Sequence, residues 1–219
     1  MNAEEVIERL ESDLAPVRRL PSPGRALLIW LAVTLPALAA VVWAMGPLAD
    51  LPRLLSEPAF LVAEGFAAAT ALTAAYAAFC AGMPDEPAWK LWLPVAVLGL
   101  WVAELGRQCF VIGMSGDGAA LALRPDWMCV PAIAVGGLIP ALAIVRLLRG
   151  RAEFRAARAS LCGALAAAAA AEGALRLFHA EDTLVMVLVW QMGSVALFAA
   201  AGGALARLSL RRPRTAEPA

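Results

Sequence analysis

The sequence predicts an all-α membrane protein, a six transmembrane helix bundle with a short cytoplasmic N-terminal amphipathic helix. Three observations predict it. Apolar residues make up 62% of the chain and the mean hydropathy is +0.74, well outside the range of soluble domains. Six stretches approach the roughly 20 mostly apolar residues that a bilayer crossing takes. The basic residues then fall overwhelmingly on alternate connections between those stretches, as they do in inserted proteins.

The first stretch runs from about Ala26 to Met45 and the second from about Ala59 to Gly82. The third covers about Leu91 to Cys109, and the fourth about Trp127 to Leu148. The fifth is about Ser160 to Phe178 and the sixth about Leu184 to Ala206. Each ends in a break rich in Pro, Gly or charge, such as GPLADLPRLLSEP, PDEPAWK, RGRAEFRAAR and HAEDT. Such short connections place consecutive helices antiparallel. Runs such as AAATALTAAYAAFCAG and GALAAAAAAEGAL let helix backbones approach closely.

Orientation follows from charge. With the N-terminus in the cytoplasm, the inner segments hold fourteen basic residues, among them Arg18, Arg19, Lys90, Arg155 and Arg212. The outer segments hold four: Arg53, Arg107, Arg124 and Arg176. Both termini are therefore expected inside. Trp43, Trp89, Trp92, Trp101 and Trp127 fall near the expected span ends, where an aromatic belt anchors a bundle. Three regions result: an arm over residues 1–24, a six-helix domain over 25–207 and a basic tail over 208–219.

The arm is too acidic to be a signal peptide. NAEEVIERLESDL reads as a helix, with Asn2 as cap and Glu4 and Glu5 in the first turn. Val6, Leu10 and Leu14 recur at four-residue steps with Ile7 beside them, forming one apolar stripe. Glu8, Glu11 and Asp13 cover other faces. Pro16 ends the helix, and Pro21 and Pro23 keep the connector extended. An acidic amphipathic helix binds an anionic leaflet poorly. It suits a groove on a basic protein partner. The alternatives are a helix resting on its own bundle and a disordered tail. Arg18 and Arg19 serve either that partner or the topology.

Composition excludes other classes. A formal net charge of zero gives a nucleic-acid partner no electrostatic support. No nucleotide-binding, metalloprotease or serine-hydrolase motif occurs in a sensible context, and the chain has a single His. No enzyme activity and no small-molecule substrate are expected. The lack of a clear internal repeat leaves an inverted-repeat transporter without positive support.

Three carboxylates fall inside the expected spans: Glu64, Glu104 and Glu172. A charge at that depth is costly and is a functional-site hypothesis by default. Arg107 lies three residues after Glu104, and Arg176 four after Glu172, spacings that share a helix face. The three readings are structural ion pairs, a proton- or metal-responsive cluster, and a translocation path. The last would make the protein a small transporter or channel.

The thiols divide by side. Cys80 and Cys162 lie toward the cytoplasmic ends of their spans, Cys109 and Cys129 toward the outer ends. His179, Glu181 and Asp182 join the latter pair outside. Cys, His and carboxylate together suit a soft or borderline cation, so a regulatory metal at the outer side is one expectation. Which metal is not specified, and no other cofactor is expected. A disulfide between Cys109 and Cys129 is a second. Small buried hydrophobes in alanine-rich helices are the third.

DLAPVRRLPSPGRALLIWLAV resembles the opening of the NrsF family, negative regulators of sigma F, which are six-span bacterial membrane anti-sigma factors. WMCVP, RLLRGRAEFRAARASLCGALA and LRLFHAEDTLVMVLVWQMG fall where that family has similar segments. The resemblance implies a multi-pass protein of the bacterial inner membrane whose cytoplasmic N-terminus holds an extracytoplasmic-function sigma factor. Release under stress is implied too, with metal or oxidative signals. The family's periplasmic Cys matches Cys129. A second Cys is expected beside His179, where this chain has Ala180. Cys109 as substitute partner, His179 acting with Cys129 on a metal, or a different signal are the alternatives. On this reading Val6, Ile7, Leu10 and Leu14, with Glu4, Glu8, Glu11, Arg18 and Arg19, meet the sigma factor. Cys129, Cys109, His179 and Asp182 form the sensor.

Overall fold

The computed structural model describes residues 4–5, 20–116, 128–149, 155–179 and 184–211, the last six and residue 184 by their backbone alone. Glu4 and Glu5 are helical and exposed. The apolar stripe Val6, Ile7, Leu10 and Leu14, together with Glu8, Glu11, Arg18, Arg19, Trp127 and Asp182, lies outside the described residues.

Six long helices carry the fold: α1 Pro23–Met45, α2 Pro58–Ala81, α3 Leu93–Met114, α4 Cys129–Leu148, α5 Ala156–Leu175 and α6 Met192–Arg211. A single helical turn, Leu51–Leu54, sits in the first connection, and a 3₁₀ turn, Ala88–Trp92, leads into α3. A π-helical turn, Val187–Gln191, leads into α6. No strand occurs among the described residues.

Proline opens several of these helices, where its missing N–H is no loss and its fixed φ suits the first turn. Pro23, Pro58 and Pro94 all lie in the opening residues of α1, α2 and α3. Ser22 caps α1, its Oγ accepting the Arg25 N–H at 3.4 Å. At the far end Gly46 takes φ 84°, a value that favours glycine, and its N–H closes the helix on the Val42 carbonyl at 3.0 Å.

α5 is the hub: α1, α2, α4 and α6 all pack on it. Its alanines are the reason. Ala166, Ala167, Ala168, Ala169 and Ala171 are all buried, leaving a thin cylinder that neighbours approach closely. Glycines answer from two sides. A Cβ on Gly137 of α4 would lie 3.4 Å from the Ala167 carbonyl oxygen, and one on Gly202 of α6 would collide with the Ala164 Cβ. Trp30 of α1 reaches across to α4, its Nε1 donating to the Pro140 carbonyl at 3.0 Å.

Among the described residues, five helical segments are long and apolar enough to cross a membrane: Pro23–Met45, Pro58–Ala81, Ala88–Met114, Cys129–Leu148 and Val187–Leu205. α5 is a 20-residue helix but does not join them. Alanine is only mildly apolar, and Arg158 and Glu172 dilute it further. Five of the six spans expected from the sequence therefore meet that length and composition among the described residues. The third runs five residues beyond the expected Cys109, to Met114. Trp101 departs from expectation as well. It is fully buried in the core and belongs to no interfacial belt, whereas Trp43, Trp89 and Trp92 are exposed. The reason is register: Trp101 falls nine residues into α3 on the face that packs into the main core.

Candidate functional site

The densest polar assembly gathers where the α1–α2 connection, the C-terminal half of α3 and the end of α5 meet. α5 stops at Leu175, and Arg176 follows as its C-cap with its N–H on the Glu172 carbonyl. The Arg176 side chain crosses to α2, where Nη1 lies 3.1 Å from Glu64 Oε1. Its guanidinium also stacks over the Phe60 ring, 4.9 Å from the centroid, one turn before Glu64 on the same helix. Arg176 is only 6% exposed, so this is an ion pair held away from solvent. Sequence spacing matches Arg176 with Glu172, and the packing of α2 on α5 also brings Glu64 to it. Glu64 fits because Gly173 has no side chain: a Cβ there would sit 3.3 Å from Glu64 Oε2.

A backbone bond stands beside this pair. The Leu48 N–H, just past α1, donates to the Leu177 carbonyl, just past α5, at 3.0 Å. Together the two contacts tie the ends of α1 and α5 to the start of α2.

The second ion pair is the one the spacing predicts. Arg107 donates to Glu104 twice, through Nε at 2.8 Å and Nη2 at 2.6 Å. Gln108 adds a bond to the same carboxylate at 3.0 Å. Arg107 is 61% exposed, so the pair lies at a surface and reads as a snorkelling interfacial bridge.

Between these pairs opens a vestibule of about 610 Å³, lined by Arg53, Arg107, Gln108, Arg176 and His179 among others. Arg53 lies 3.8 Å from Asp50 and 3.7 Å from Glu57, which also line it. The structure thus brings Arg107, Arg176 and His179 together. Cys109 and Cys129 do not line this space. Cys129 is buried in the main core at the start of α4, and Cys109 is partly exposed on α3. No disulfide joins any of the four cysteines. Among the described residues, no group of three or more His, Cys, Asp and Glu gathers as a metal site would need.

On the other side of the Glu64–Arg176 pair lies an apolar groove of about 750 Å³ between α1, α2 and α5. Arg176 faces the vestibule and Glu64 the groove, so the ion pair is the partition between them. Glu104 and Glu172 line neither space, and Glu172 is fully enclosed. The three carboxylates therefore do not line one common cavity.

Sequence reading missed several buried polar residues: Thr34, Thr70, Gln191 and Ser194. Each is a polar residue inside an apolar run, and that is the signal that marks them. Ser194 spends its hydroxyl on the Trp190 carbonyl at 2.6 Å, within the region disturbed by the π turn. At the other end of the molecule Lys90 bridges to Glu86 at 2.5 Å and lies over the Tyr76 ring, closing the α2–α3 connection.

Long apolar helices packed around a buried ion pair define the class: among the described residues, an all-helical protein compatible with membrane insertion. Within that class the chain belongs to the NrsF family, described as negative regulator of sigma F, whose family model matches residues 10–211, nearly the whole chain. Membership implies negative regulation of a sigma factor, and this is not a family of enzymes. No curated protein matches the chain, and no solved structure does either.

Proposed function

We propose that the protein is an inner-membrane anti-sigma factor that sequesters an extracytoplasmic-function sigma factor through its cytoplasmic arm. The observation that carries this reading is the extent of the family match, which begins at residue 10 and so takes in the second half of the arm with the bundle. α5 is the sixth crossing, shielded from lipid by its neighbours, and both termini are cytoplasmic. The stripe of Val6, Ile7, Leu10 and Leu14 buries in a groove of the sigma factor, and Glu4, Glu8 and Glu11 meet its basic surface. Full burial of one Leu contributes about 1.5–3 kcal/mol, so four anchors supply useful affinity after ordering costs.

Release starts at the outer side. α1 leads directly from the arm, and its far end is tied by the Leu48–Leu177 bond next to the Glu64–Arg176 pair. Chemistry at Cys129 at the start of α4, with Cys109, His179 and Asp182 as further outer groups, shifts the packing around α5 and loosens α1. A regulatory metal at that side remains part of the proposal.

Leu10→Glu tests the docking. The variant is expected to insert normally and to lose the cognate sigma factor in a pull-down from solubilised membranes. Retention of the sigma factor by Leu10→Glu overturns the arm as the binding element.

A further inference from the structure

The apolar groove carries features that packing alone does not explain. Thr34 lines it, is 1% exposed, and its hydroxyl has no hydrogen-bond partner among the described residues. A buried hydroxyl left in that state costs free energy that a ligand's polar group recovers. Thr34 is the twelfth residue of the 23 in α1, so it lies about 17 Å along the axis from either end. Glu64, the seventh residue of α2, presents its carboxylate to the same groove. Trp30 closes the groove one turn before Thr34, and Trp43, nine residues beyond Thr34, is 85% exposed at the open side.

Depth selects the occupant. A glycerolipid keeps its ester and hydroxyl groups at the interface, so at the level of Thr34 it offers only hydrocarbon. A charged head cannot reach that level at acceptable cost. The ligand therefore needs an apolar tail and a small, uncharged, polar ring that travels within the membrane. We propose that the groove binds a membrane-soluble quinone, its ring at the level of Thr34. A quinone carbonyl accepts from the Thr34 hydroxyl, and in the quinol form a ring hydroxyl donates to Glu64. The volume of about 750 Å³ lies in the usual range for such sites. Because the groove runs between α1 and the hub, an occupant bears directly on the helix that leads to the arm. The inference rests on the helices crossing the membrane and on nothing about the sigma factor.

The test is decylubiquinone titrated into the purified full-length chain in nanodiscs, read by quenching of tryptophan fluorescence. Recovery of the chain with the membrane after alkaline washing is checked first, so failure of the membrane premise is told apart from failure of the ligand. Saturable quenching is expected. Thr34→Val, which removes only the hydroxyl, weakens it about fivefold or more. Ala39→Phe, at an exposed groove position on α1, fills the space and weakens it further. If Ala39→Phe does not fold, Thr34→Val alone decides. Quenching that never saturates, or that Thr34→Val leaves unchanged, overturns the site. Equal competition by dioctanoylglycerol also overturns it, because the groove then takes any tail.

Discussion

α1 and α5 are nearly equal in length and opposite in construction. The apolar window of α1 has mean hydropathy 2.3, yet only 17% of that window is buried in the bundle. α5 is buried along most of its length and falls short of the apolarity that marks a crossing. Hydropathy here therefore follows exposure on the outside of the bundle, not closeness to its centre. A helix at the rim faces hydrocarbon and needs large apolar side chains. A helix at the hub faces other helices, where small side chains and close backbones matter more than apolarity.

The largest effect is expected at the end of the hub. Arg176→Ala removes the buried ion pair from Glu64 and destabilises the fold by about 3–5 kcal/mol, whereas the double change Glu64→Leu with Arg176→Met is close to neutral. Unfolding of the detergent-solubilised chain measures both. An equal loss in the single and double variants would show that the pair does not hold the α2–α5 junction.

Overpacking the hub comes next. Gly202→Leu forces a side chain into the space held by Ala164, at a cost of about 1–3 kcal/mol. A variant of wild-type stability there would mean that α6 stands further from α5 than described.

The rim sharpens the contrast. Trp30→Phe removes the bond to the Pro140 carbonyl and costs about 0.5–1.5 kcal/mol. Leu35→Ala, on an exposed face of α1, stays within about 0.5 kcal/mol, since lipid replaces lipid-like contact. If Leu35→Ala costs as much as Gly202→Leu, α1 is not a rim helix and the comparison collapses.

Much of this was legible in the chain. The helices follow from apolar runs bounded by Pro, Gly and charge, and local spacing identified the Glu104–Arg107 bridge, because neighbours on one helix face depend on nothing beyond that helix. Arg176 is the instructive contrast. Spacing points it to Glu172, and the bundle adds an ion pair with Glu64, more than a hundred residues earlier, that spacing does not reveal. Trp101 teaches the same lesson: an aromatic residue near an expected span end turned out to be core, since register on α3 decided which way it faced.

The sequence by itself determined which segments are helices, where they break, and which family the chain resembles, since backbone hydrogen bonding, proline and hydropathy all act within a few residues. Tertiary structure alone decided that the alanine-rich helix α5, which falls short of the apolarity of a crossing, is the hub. It also decided that Arg176 and Glu64 divide a polar vestibule from a groove beside α1. Those outcomes depend on which faces meet across the bundle, and close packing of small side chains sets that geometry through contacts distant in sequence.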